Sequence, residues 1–141
     1  MQHPNIDFVQ GLYGAYMSGD SERVAAAFSP DVRWHNSGFD ALAGTLTGVP
    51  AVLDYLLGQD HLEDYRLDVV DLLASDERVA VVARSSGQHD GKDVQNDFIQ
   101  LIHLVDGRVN EVWNYVWDQR AIAAVFPAVA EPSEAVPAGR G

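Results

Sequence analysis

Apolar residues recur at helical spacing in the first part of the chain and gather into strand-like runs in the second. From Ile6 to Met17, the residues Phe8, Val9, Leu12, Tyr13 and Tyr16 fall on one face behind Asn5, a candidate cap, which predicts an amphipathic helix. Gly11 and Gly14 interrupt it at about 1 kcal/mol each relative to Ala, so a second element is expected to pack closely there. Gly19-Asp20-Ser21 ends this helix and caps another, whose face is Val24, Ala27 and Phe28. Ser29-Pro30-Asp31 stops the second helix, and Val32 to Asn36 reads as a short strand followed by a loop through Gly38 and Gly44. Helical spacing resumes from Thr47 to Gly58, through Val49, Val52, Leu53 and Leu56, with Pro50 in the first turn.

The period then changes. Tyr65 to Leu73, Val79 to Gln88, Val94 to Val105 and Arg108 to Trp117 are rich in β-branched, aliphatic and aromatic residues, and SDE, HDGK and VDGR separate them. Asp-Gly between such runs is a strong hairpin signal, so the four make an antiparallel meander. Asp118 is placed to cap a final helix, Gln119 to Phe126, and PAVAEPSEAVPAGRG from 127 to 141 reads as a flexible tail behind a domain spanning 1–126. A strand as long as Val94 to Val105 would extend about 40 Å at ~3.3 Å per residue and must twist and coil. A curved sheet wrapped on helices leaves a concavity, the kind of place where small molecules bind.

Composition narrows the chemistry. The 141 residues suit one domain, and with no cysteine there is neither a disulfide framework nor a thiolate nucleophile. A net charge of −12 opposes nucleic acid and anionic membrane, no apolar run approaches the ~20 residues of a membrane span, and the basic start of a signal peptide is missing. These features lead to the expectation of a soluble, cytoplasmic protein with neither nucleic-acid nor membrane partners. The five histidines show no HxH or HExxH spacing, so no metal and no cofactor is expected.

The densest chemistry lies in VRWHNSG, Val32 to Gly38. Together with SGDSERVAAAFSPDVRWHN, GTLTGVPAVLDYL and LVDGRVNEVWNYVWDQRA, it resembles the nuclear transport factor 2-like superfamily, and within it the SnoaL-like polyketide cyclases and ketosteroid isomerase relatives. The resemblance covers about residues 5 to 126 and implies an α+β cone, a curved antiparallel sheet wrapped around N-terminal helices. It implies that Trp34, Asn36, Arg84, Ser86, Phe98, Gln100, Ile102, Trp113 and Tyr115 line the cone, with Tyr13 and Tyr16 of the first helix beside them. Asn36, Arg84, Gln100 and Tyr115 hold the positions that resemble catalytic ones. A slip of one residue in this assignment would instead turn Arg33, His35, His103 and Asn114 inward, a set with acid-base capacity.

The departures matter as much as the matches. Where ketosteroid isomerases carry a carboxylate base and a protonated acid, this chain carries Asn36 and Gln100; amides donate and accept hydrogen bonds but take up no proton at neutral pH. The two aspartates of limonene-type epoxide hydrolases correspond to Ser86 and Tyr115, and the histidine and carboxylate of many SnoaL-like cyclases to Gln100 and Tyr115. A buried Arg84 on the inward face would need an acidic ligand or a protein carboxylate. Two readings follow: an isomerase or cyclase acting on a polyketide-like or polycyclic ligand, and a non-catalytic binding or accessory protein that has lost its carboxylates. Either takes a small apolar or weakly acidic organic ligand. A homodimer is expected through an outer face bearing Val81, Ile99, Leu101, Val112 and Val116.

Overall fold

In a computed structural model that describes residues 2–38, 43–57 and 63–120, the first helix, α1, runs Pro4–Met17 and is capped by His3, not Asn5. His3 Nδ1 accepts from the Asn5 amide at 3.0 Å and Pro4 takes the first turn, where its missing N–H costs nothing. The Asn5 side chain instead donates to the carbonyls of Ser75 and Asp76, at 2.9 and 3.1 Å, tying the helix start to a sheet loop. Gly19, at φ +78°, turns the chain into α2, Ser21–Ala26, capped by Asp20 as expected.

Helix α2 is shorter than its apolar face suggests, because Phe28 already belongs to strand β1, Phe28–Asn36. Pro30 is tolerated inside this strand where the register with its neighbour shifts, between Phe28 and Arg33, so the proline interrupts no regular ladder. Strand β2, Gly44–Thr47, lies within what the sequence presents as a loop. Four residues from Gly44 to Thr47, bounded by Gly44 and Gly48 at positive φ, carry too short a pattern; pairing with Arg33–Asn36 makes them a strand. Then come α3, Val49–Leu57, and the meander β3 (Glu63–Ala74), β4 (Arg78–His89), β5 (Lys92–Val105) and β6 (Arg108–Val116).

Both Asp-Gly pairs form the expected two-residue hairpins, with positive φ at Asp90, Gly91, Asp106 and Gly107. The sheet order is β2-β1-β6-β5-β4-β3, antiparallel throughout except that β1 joins β6 in parallel. The result is an open, curved, mixed six-stranded sheet in an α+β fold. Register shifts with the extra residues on β1, β3 and β6 add twist and bend. Helices cover the concave face, where Val9, Val24, Val52, Val79, Val81, Val109 and Val112 form the dry core. Asp118 Oδ1 accepts from the Arg120 amide at 3.1 Å, a capping contact, whereas the rest of the expected final helix and the tail lie outside the described residues. No described helix is long and apolar enough to cross a membrane.

Candidate functional site

Side-chain direction passes from strand to strand, because directly paired residues project to the same face of a sheet. Trp34 is buried against Phe28 and Tyr55, at ring distances of 6.5 and 5.6 Å, so Trp34 and Asn36 face the helices. Their partners on β6 are Val112 and Asn114. Those two pair in turn with Ile102 and Gln100 on β5, which pair with Val79 and Val81 on β4. The concave face therefore carries Trp34, Asn36, Phe98, Gln100, Ile102 and Asn114.

Several polar side chains stand in this apolar interior. The Tyr13 hydroxyl, from α1, donates to Gln100 Oε1. On the sheet floor, Asn36 Oδ1 accepts from Trp34 Nε1 at 2.9 Å and from Asn114 Nδ2 at 3.2 Å. Tyr16 reaches the Leu56 carbonyl at 3.3 Å and hydrogen-bonds Tyr65. Burial pushes the Tyr13, Tyr16 and Tyr65 phenols above their ordinary titration range, and neighbouring tyrosines add to this for Tyr13 and Tyr65. These phenols are therefore held in their protonated form at neutral pH. The functional groups named here are all neutral.

Four of the nine sheet residues expected to line the cone project away from the concave face. Arg84 and Ser86 project outward, since their neighbours Ala83 and Val81 occupy the concave face. Arg84 is no buried cation: it is half-exposed and pairs with Asp97, Nε to Oδ1 at 2.7 Å and Nη2 to Oδ2 at 3.3 Å. The guanidinium holds the Asp97 carboxyl below the usual range. Trp113 and Tyr115 also project outward, because β6 takes its phase from the parallel pairing with β1. Trp113 stacks on His35 at 5.5 Å, and Tyr115 is exposed. The alternative set divides: Asn114 faces in, whereas Arg33, His35 and His103 face out. His35 Nε2 lies 2.5 Å from Glu111 Oε2 and its Nδ1 lies 2.7 Å from Thr45 Oγ1. Arg33 contacts the same Glu111 oxygen at 2.9 Å, and His103 lies 3.4 Å from Glu77. Among residues expected on the outer face, Val81 and Val112 are instead in the core.

Tyr55 and Tyr65 join the interior without having been singled out by sequence. Their signals are faint but present: Tyr55 follows Val52 by one helical step, and Tyr65 alternates with Leu67. Among the described residues, no cluster of three or more His, Asp or Glu is arranged to hold a metal ion. An open groove of about 390 Å³ on the convex side is lined by Val70, Val82, Arg84, Ile99, Tyr115 and Trp117.

The SnoaL-like domain family matches this chain over residues 9–112. An uncharacterised protein of Mycobacterium tuberculosis is 28% identical over 120 residues, 83% of this chain and 92% of that protein. Among solved structures, a loop-truncation variant of IdmH is 28% identical with a TM-score of 0.70, covering 84% of this chain and 95% of its own. A Xanthomonas campestris protein of unknown function with a cystatin-like fold is 27% identical with a TM-score of 0.76, over 86% of this chain and 96% of its own.

Proposed function

Because the chain belongs to the SnoaL-like domain family, of nuclear transport factor 2-like fold, we propose that it binds a small organic molecule of polycyclic, polyketide-like shape inside the cone. The observation that carries this reading is the half-buried Tyr13 phenol hydrogen-bonded to Gln100 on the concave face that also carries Trp34 and Phe98. An apolar concavity with a few fixed polar groups is the usual form of such a site. The ligand's flat body packs on the aromatics, and its oxygen atoms meet phenol and amide groups.

The chemistry of this set favours binding over proton abstraction. Asn36, Asn114 and Gln100 accept no proton at neutral pH, and the buried phenols do not release theirs. An isomerase or cyclase reaction here would rest on hydrogen-bond stabilisation of developing negative charge by the Gln100 amide N–H groups, since the one proton of the Tyr13 phenol is given to Gln100 Oε1. Native mass spectrometry of the purified protein tests what the cone retains. Titrating that molecule into Tyr13→Phe and Gln100→Leu is expected to show about tenfold weaker binding in each, as for a lost hydrogen bond, while Arg84→Ala binds as the parent does. Equal affinity in all four proteins overturns the reading. We further propose that the convex face, with Ile99, Tyr115 and Trp117 exposed, joins two copies of the chain as a homodimer.

A further inference from the structure

The Asn114 side chain is buried, with 9% exposure, and its Oδ1 has no hydrogen-bond partner. Its orientation follows from a neighbour that admits no alternative. An indole N–H only donates, so Trp34 Nε1 requires the acceptor oxygen of Asn36. That oxygen then requires a donor from Asn114, and Nδ2 supplies it at 3.2 Å. Oδ1 is consequently turned away from Asn36 and left as a desolvated acceptor. Asn114 is also the direct cross-strand partner of Gln100, whose own oxygen is taken by Tyr13. Buried carbonyls are rarely left unpaired, because losing water without gaining a donor is costly.

We infer that Asn114 Oδ1 reads a hydroxyl group on the ligand, so that the cone selects hydroxylated aromatic molecules over their methyl ethers. The inference rests on the cone being the binding site and names the ligand chemistry that site takes. The wall around the acceptor is neutral, and a carbonyl oxygen repels an ionised phenolate or carboxylate; the ligand hydroxyl is therefore bound in its protonated form. Trp34, whose indole bonds the same Asn36 oxygen, suits a flat aromatic body, and a methyl cap removes the donor while adding bulk where the hydrogen bond would form.

The test uses the intact protein and three probes: β-naphthol, its methyl ether and naphthalene, titrated with the Trp34 indole N–H resonance as reporter. That resonance moves on binding inside the cone, whereas Trp113 and Trp117 report the convex face. β-Naphthol is expected to bind about five- to tenfold more tightly than its ether, the increment of one neutral hydrogen bond. In Asn114→Leu the two probes should bind alike, with the melting temperature checked alongside; the probe pair in the unaltered protein stands even if the variant does not fold. Equal affinities for β-naphthol and the ether, with Trp34 shifted by both, would mean that a water satisfies Oδ1; the inference then fails and cone binding stands. If none of the three shifts Trp34, cone binding of aromatic ligands fails with it.

Discussion

Glu111 lies on the convex face yet is only 8% exposed, because Arg33 and His35 close over it and Trp113 stacks on the imidazole. The hydrogen bond from His35 is the largest influence holding the Glu111 carboxyl below its ordinary value of 4.5; burial opposes it, and the charge of Arg33 adds to the lowering. A folded-state value below the unfolded one means that this contribution is complete above about pH 5 and is lost as the pH falls through the depressed value. Glu111→Gln is therefore expected to lower stability by about 1 kcal/mol at neutral pH and to flatten its decline in acid. Urea unfolding of both proteins between pH 3 and pH 7 (about those limits) measures this. A variant whose acid decline matches the parent's would show that other carboxylates govern it. On the concave side the decisive residue is Trp34, whose donor-only indole orients two asparagines.

At the scale of elements, α1 carries two glycines with different surroundings. A methyl group added at Gly14 would meet nothing within 4 Å, so the close packing expected from its presence is not found there. At Gly11 it would lie 3.3 Å from the mobile end of Arg23. Gly14→Ala should stabilise the protein by about 1 kcal/mol through helix propensity, raising the melting temperature by roughly 2–4 °C for a chain of this size. Gly11→Ala should gain less, since Arg23 must shift. Calorimetry of the two variants orders them, and a Gly14→Ala protein no more stable than the parent would point to a contact beyond the helix. The hairpins at Asp90-Gly91 and Asp106-Gly107 were legible because their turn geometry is local. Strand β2 was not, because four residues acquire strand character only by pairing with β1.

For the molecule as a whole, the convex face opposes two forces. Val70, Ile99, Tyr115 and Trp117 are exposed there, Trp117 at 86%, and such a patch favours self-association. A net charge of −12 repels a second copy. The proposed homodimer should consequently tighten with salt, since the Debye length shrinks from about 30 Å at 0.01 M to about 8 Å at 0.15 M. Sedimentation at micromolar concentration should show dimer at the higher salt, partial dissociation at the lower, and monomer for Ile99→Glu. A parent protein monomeric at both would remove the proposal.

Helical periodicity and Asp-Gly turns determined from sequence alone that helices precede a long-stranded meander, and the quoted motifs placed the chain in its fold. These signals are local, so they survive without knowledge of partners. Which face of each strand looks inward was a different problem. Trp34, Gln100 and Phe98 project to the helix-covered face, whereas Arg84, Trp113 and Tyr115 project outward, a division that alternation cannot choose because apolar residues occupy both faces. The phase of β6 comes from its parallel pairing with β1, about eighty residues earlier in the chain, and that of β4 follows through β5. Tertiary structure alone therefore moved Arg84 to the surface, set Asn114 opposite Gln100, and made the interior neutral.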